Sequence, residues 1–338
     1  RMIEAGLLGN KSESGGFYRQ REAAGDSIRE TLDFGSFEYR AHDQTIPDIA
    51  ARAESEGDIG LLIDGDDVAS RYAWAVLSRT LCYAAGLLPE VGDSPVPIDD
   101  AMKLGYNWQR GPFEMIDAIG VDAFTGRLRR EGRSVPPFLE QAEGRSFYRA
   151  ETGRLQYLSI GGAYSDLVRA PGVRRFSELR RVLEPVCGNA SASYFLVDGD
   201  VGLVEWHSKA NTLDGDSMSL LARAVEHASR HCTGLVVHND APHFSCGVNL
   251  GVVLALIDQG DFDALDAFLR DFQRTVCAMR DAPIPVIAAP VGLALGGGFE
   301  VVLHTDRVIA HANSVFGLVE SLVGLVPGGG GVKETLDR

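Results

Sequence analysis

A run of buried character at 285–291 gives way directly to Gly292-Leu293-Ala294-Leu295-Gly296-Gly297-Gly298-Phe299-Glu300, where a helical pattern begins. Three consecutive glycines at such a junction call for a tight strand-to-helix turn, because only glycine lets the backbone bend and approach a neighbour so closely. The first amides of the helix are left without internal acceptors and point outward. Such a place suits a developing oxyanion, although these residues taken alone favour a plain structural turn. The spelling is neither the GxGxxG dinucleotide fingerprint nor a P-loop. Further on, Gly328-Gly329-Gly330-Gly331-Val332-Lys333-Glu334-Thr335 has the glycines of a P-loop but not its Gly-Lys-[Ser/Thr] core.

Strands and helices alternate around this turn. Strands are predicted at 194–197 and 201–206 about an Asp198-Gly199 turn, then at 235–237 and 308–310; helices are predicted at 216–231 and 261–280. The second helix carries Phe262, Leu265, Leu269, Phe272 and Val276 on one face. This alternation predicts an α/β domain. Earlier in the chain the apolar residues Ala69, Tyr72, Ala73, Val76, Leu77, Leu81, Ala84 and Leu88 recur at helical spacing within 66–88. A second helix is predicted near Asp99, and a third from Gly111-Pro112 to Gly120. Alternating aromatic and polar residues at 146–168 predict a hairpin or meander, whereas 19–62, charged and without clear period, reads as a surface linker.

Acidic residues outnumber basic ones 47 to 32, a net charge of −15, so long-range attraction to nucleic acid or an anionic membrane is excluded and only a local basic pocket for a phosphorylated ligand remains compatible. The 5 cysteines are scattered without a CxxC pair, which points to a reducing, cytoplasmic setting and away from a disulfide framework or zinc ribbon. No apolar run is long enough for membrane insertion. The chain opens on Arg1 and closes on Leu336-Asp337-Arg338 as a helical pattern starts, so it is expected to be an excerpt of a longer protein whose targeting signals cannot be judged.

Two carboxylates flank the glycine turn, Glu300 just inside the helix and Glu320 after Val315-Phe316-Gly317-Leu318-Val319. Paired carboxyls serve acid–base chemistry on one substrate, but in so acidic a chain the pair alone is a weak signal. A small polar turn, Phe244-Ser245-Cys246-Gly247-Val248-Asn249-Leu250, follows the strand at 235–237; it reads first as a strand-end turn, and Cys246 as a nucleophile only if His238 or His243 serves as its base. His227 and His231 are four apart on a helix but lack a third ligand, so no metal is expected.

In order along the chain, these elements resemble the crotonase (enoyl-CoA hydratase/isomerase) family. Phe244 to Leu250 is similar to its first oxyanion loop, Gly296-Gly297-Gly298-Phe299-Glu300 to its Gly-Gly-Gly-x-Glu turn, and Phe316-Gly317-Leu318-Val319-Glu320 with Gly324-Leu325-Val326-Pro327-Gly328 to its second-glutamate segment. His207-Ser208-Lys209-Ala210-Asn211-Thr212-Leu213 sits where the family touches coenzyme A. Upstream, Gly9-Asn10-Lys11-Ser12 to Gly16-Phe17-Tyr18 resembles the end of a 3-hydroxyacyl-CoA dehydrogenase C-terminal domain. Ala101-Met102-Lys103-Leu104-Gly105 through Gly111 to Gly120 resembles a second copy of it. The whole looks like an internal piece of a bifunctional fatty-acid β-oxidation protein.

The resemblance implies a multidomain α/β chain: a domain tail at 1–18, a linker at 19–62, an all-α dehydrogenase-type domain at 63–145, a β-hairpin linker at 146–190, and a crotonase-like ββα domain at 191–338, incomplete at its C-terminus. It implies reversible hydration of trans-2-enoyl-CoA, with Glu300 and Glu320 catalytic and the amides of Val248 and Gly297 as oxyanion hole. Lys209, Ala210, Cys246, Gly247, Asn249 and Gly298 would meet coenzyme A or substrate. Isomerisation or thioester hydrolysis on the same fold, or a non-catalytic dimerisation scaffold, are the alternatives, and the presence of both glutamates favours hydration over isomerisation. The acyl-CoA thioester is substrate, and hydration needs no cofactor. NAD would serve the longer protein's dehydrogenase, no catalytic residue of which is carried over. A homo-oligomer is implied, and a thiolase partner is compatible. Two departures stand out: Val248 replaces the usual Ala, and Asn249 the usual Asp.

Overall fold

The computed structural model describes residues 1–338 apart from Asn10, Lys11, Glu13, Ala24, Gly25, Gln44 and Arg338, so three positions of the expected domain tail at 1–18 lie outside the described residues. The chain divides into two units, residues 1–147 with 158–163, and residues 148–157 with 164–338.

In the first unit β1 (Tyr18–Ala23), β2 (Asp26–Leu32) and β3 (Tyr39–Ala41) form an antiparallel sheet in that order. They occupy the stretch read as an irregular linker. Charge hides their pattern: Arg19 stands opposite Glu30 and pairs with it at 2.6 Å, an ionic cross-strand pair where an apolar one usually betrays a strand. Helices α1 (Asp48–Glu56) and α2 (Ile59–Asp64) complete the stretch. They are followed by α3 (Val68–Gly86), α4 (Val96–Tyr106), α5 (Pro112–Ile119), α6 (Val121–Arg130) and α7 (Pro137–Gln141).

Asp67 caps α3 by accepting from Ala69 N and Ser70 N, so the helix starts where its sequence predicts. The face it buries is different. Ser70, Trp74, Ser78, Leu81 and Ala85 are inside, whereas Tyr72 and Val76 are exposed. Each polar group on that face has a partner: Ser70 Oγ donates to Asp67, Ser78 Oγ accepts from Arg133, and Trp74 Nε1 donates to Glu131. Beyond it, Phe113, Phe138 and Phe147 pack together with ring centroids 4.9 to 5.7 Å apart.

The second unit opens on β4 (Tyr148–Glu151), β5 (Arg154–Leu158) and β6 (Tyr164–Asp166), the predicted meander, with Thr152 and Gly153 at positive φ in its first turn. Helix α8 (Phe176–Leu179) leads to β7 (Cys187–Gly188), β8 (Ala192–Val197) and β9 (Val201–Trp206), which pair antiparallel. After α9 (Gly215–His231) come β10 (Gly234–His238), α10 (Leu250–Gln259), α11 (Phe262–Arg280) and β11 (Val286–Ala289). Next are β12 (Leu293–Leu295), α12 (Gly297–Leu303), β13 (Arg307–Val308), β14 (Val315–Gly317) and α13 (Gly331–Asp337).

The main sheet has the order β13-β11-β10-β9-β8-β7, parallel from β9 to β13, and β12 pairs parallel with β14 in a small second sheet. Trp206, Leu220, Leu221, Phe244, Phe272, Val276 and Val301 meet in one core, which anchors the ends of β10, α11 and α12 that converge on the site. Among the described residues, no helix is long and apolar enough to cross a membrane.

Candidate active site

Backbone hydrogen bonds hold the loop after β10 in place. Phe244 N donates to Val291 O at 2.7 Å, Ser245 N to Leu293 O at 3.0 Å, and Leu295 N returns to Ser245 O at 3.0 Å. On the other side Leu213 N donates to Gly247 O and Asn249 N to Leu213 O, both at 2.8 Å. Between these, Val248 N has no acceptor among the described residues, and neither does Gly297 N at the first turn of α12. The two amides belong to touching loops: a Cβ on Gly297 would lie 2.8 Å from Val248 Cγ2, a distance that only glycine avoids.

Glu300 is 2% exposed. Its Oε1 accepts from Gly329 N and Gly331 N, each at 2.8 Å, while its Oε2 accepts nothing among the described residues. Burial raises its pKa, the two amides pull it down, and the Glu320 charge raises it further, for a net shift upward. Glu320 follows β14, and its Oε2 is buried without a hydrogen-bond partner. Its carboxylate lies over the glycine turn: a Cβ on Gly296, itself at φ 49°, would be 3.2 Å from Glu320 Oε1.

Both glutamates line one cavity of about 310 Å³, together with Cys246, Gly247, Val248 and Gly297. Its remaining wall is apolar, from Leu250, Val253 and Ile257 on α10 and Phe268, Leu269 and Phe272 on α11. Of the ten residues predicted for the site, these six come together in it. Lys209 and Ala210 lie outside the lining and are exposed, with Ala210 O accepting from Cys246 N at 3.2 Å. Asn249 caps α10 by accepting from Gly251 N at 3.0 Å. Gly298 faces the protein interior, where a Cβ would be 2.6 Å from that of Ser245.

Sequence reading missed three parts of this arrangement. Helix α10 was hidden in an apolar stretch, although Asn249 and Gly260 punctuate it. The apolar face of α11, visible in the sequence but given no role there, walls the cavity. The grip of Gly329 and Gly331 on Glu300 comes from residues with no side chain to mark it. The nucleophile reading of Cys246 gains nothing, since His238 bonds Ala289 O and Asp240, His243 Nδ1 takes Leu293 N, and burial pushes the Cys246 thiol up.

Residues 201–338 match the enoyl-CoA hydratase/isomerase family, and residues 73–152 match the C-terminal domain of 3-hydroxyacyl-CoA dehydrogenase. The chain is 33% identical over 339 positions to a Bacillus subtilis (strain 168) protein named "Probable 3-hydroxyacyl-CoA dehydrogenase", an alignment that spans 98% of this chain and 42% of that one. It is 28% identical over 125 residues to human mitochondrial methylglutaconyl-CoA hydratase, covering 36% of each. The chain thus spans less than half the length of either relative. Along its sequence it carries a helical domain of the 3-hydroxyacyl-CoA dehydrogenase C-terminal type followed by a crotonase-fold domain, the part that matches the enoyl-CoA hydratase/isomerase model.

Proposed function

We propose that the crotonase-fold domain, taken as residues 191–338, adds water reversibly to trans-2-enoyl-CoA. Its setting would be a cytoplasmic, homo-oligomeric β-oxidation protein that also oxidises 3-hydroxyacyl-CoA with NAD. The observation that carries this reading is the shared cavity: Glu300, whose Oε2 accepts no hydrogen bond, Glu320, whose buried Oε2 has no partner, and Val248 and Gly297, whose amides are free, all line the same apolar space. In the reaction Glu300 takes a proton from water as its oxygen bonds the β-carbon, and Glu320 gives a proton to the α-carbon. Charge that gathers on the thioester oxygen meanwhile is held by Val248 N and Gly297 N. A raised Glu300 pKa makes it a stronger base than an ordinary carboxylate.

Lys209 and Ala210, exposed beside Cys246 and Gly247, are proposed to carry the coenzyme A moiety. Asn249 and Gly298 act through the α10 cap and the loop packing. Hydration in this cavity is proposed to need no cofactor, the NAD serving the dehydrogenase of the longer protein. The helical domain is proposed as residues 63–145, joined through 146–190.

The test is loss of the conjugated-thioester absorbance of crotonyl-CoA with the purified chain, beside Glu320→Gln. Turnover that falls at least about a hundredfold in the variant supports the reading. Turnover unchanged in the variant, a product other than 3-hydroxybutyryl-CoA, or binding of crotonyl-CoA without turnover overturns it.

A further inference from the structure

We propose that His304, packed beside Glu334, is a positioning residue that fixes Glu300 for the hydration step, an inference that rests on the reading of the cavity above. Neither touches the cavity, yet both are buried, at 2% and 7% exposure. Helix α12 tightens at its end, where His304 N donates to Val301 O at 3.1 Å instead of reaching back to Glu300 O. The carbonyl of Glu300 would be orphaned, and His304 Nδ1 donates to it at 2.7 Å. Because a carbonyl only accepts, this contact sets the ring proton on Nδ1.

The other face of the ring turns to α13. His304 Nε2 lies 3.6 Å from Glu334 Oε1, and a Cβ on Gly330 would be 3.5 Å from the same ring. Glu334 in turn accepts from Arg280 of α11 at 3.1 Å and from Lys333 at 2.8 Å. Its own N–H donates to Gly330 O at 3.0 Å. With its proton on Nδ1 the ring offers Nε2 only as a lone pair, so Glu334 packs beside it without a hydrogen bond; the amides of Gly329 and Gly331 tie Glu300 to the following segment, and His304 holds the backbone of the residue they grip. With its N–H on Gly296 O at 2.9 Å, Glu300 is held at every polar atom except Oε2. That one oxygen is left for the reacting water. Burial keeps the His304 ring below its ordinary pKa despite the Glu300 carbonyl and the Glu334 carboxylate, with Arg280 and Lys333 opposing a charge on it and Asp281 as a further neighbouring acid.

The experiment compares the full chain with His304→Leu, His304→Asn and Glu334→Gln. Asn retains a donor where Nδ1 stood. Three quantities are read: thermal denaturation for folding, kcat and KM with crotonyl-CoA, and hydrogen–deuterium exchange of the peptide covering 328–334. His304→Leu is expected to lower kcat about ten- to a hundredfold with KM within about twofold, and to speed exchange at Gly329 and Gly331 about tenfold. His304→Asn should return both to within about threefold of the parent, and Glu334→Gln, which leaves the bond to the Glu300 carbonyl in place, should stay within about threefold as well. A folded His304→Leu with parental kcat or parental exchange overturns the proposal, as does a His304→Asn equally damaged. If His304→Leu does not fold, the proposal stands or falls on His304→Ala, where a kcat loss at constant KM with faster exchange supports it and parental values overturn it. Exchange that depends on His304 in a chain that does not hydrate crotonyl-CoA supports the positioning while refuting the hydratase reading.

Discussion

Replacing Gly297 by Ala tests whether the two loops of the site touch as described. The added methyl would stand 2.8 Å from Val248 Cγ2 and 3.3 Å from Phe272 Cζ. Carbon atoms pack at about 3.5–4.0 Å, so the Val248 contact is short by about 0.7 Å or more and the Phe272 contact by about 0.2 Å. Phe272 is 2% exposed within the core and cannot retreat, whereas Val248 is only half-buried. Overpacking of this kind costs about 1–3 kcal/mol. Most of it should disappear when Val248→Ala removes the colliding methyl, since the residual Phe272 contact needs a shift of only tenths of an ångström. A double-mutant cycle from urea unfolding, followed by circular dichroism on the four full chains, should therefore give a coupling energy of about 1 kcal/mol or more, with the double variant more stable than the sum of the singles. Additive costs, with Gly297→Ala equally damaging in the Val248→Ala background, would refute the contact and with it the shared position of the two amides.

Glu300→Gln should stabilise the fold at neutral pH while lowering kcat about 10²–10⁴-fold. Burial raises the Glu300 pKa above its ordinary 4.5, so its contribution to stability is intact below that value and is lost as pH rises through the raised one. Gln keeps an oxygen for Gly329 and Gly331 and carries no charge, so thermal melts should separate the two chains at pH 8 and bring them together at acid pH; a variant less stable at every pH would contradict this. Asn249→Ala removes the acceptor for Gly251 N and should cost about 1 kcal/mol in urea unfolding, with KM raised because α10 walls the cavity. Asn249→Asp should restore both, and an Asp variant as weak as the Ala one would show that the residue does more than cap.

The parts of the fold that sequence reading captured are those fixed by local chemistry. The Asp198-Gly199 turn joins β8 to β9 as its positive φ values require, and Asp261 caps α11 at the predicted start. What escaped depended on partners distant in sequence. Apolar spacing alone points the face of α3 to Tyr72 and Val76 because Ser70 and Ser78 count as polar, yet Asp67 and Arg133 satisfy both hydroxyls inside. Strands β1 and β2 look like linker in sequence because charges that pair across the strands leave no apolar alternation to see.

The same division runs through the site. Glu300, Glu320 and the glycine turn are visible in the sequence because side chains and turn glycines leave a pattern. Which oxygen of Glu300 is left without a hydrogen bond is decided by amides 29 and 31 residues downstream. A backbone N–H leaves no mark in a sequence, since every residue but proline has one. The glycines at 329 and 331 mark only the closeness of approach: a Cβ on either would lie within 3.0 Å of the Glu300 side chain. His304 follows the same logic, because a buried histidine on an apolar helix is indistinguishable in sequence from a core residue until the carbonyl it caps is known to be that of Glu300. The chemistry of a site that works through backbone groups is therefore legible only to the extent that its carboxylates are, and its geometry has to be read from the fold.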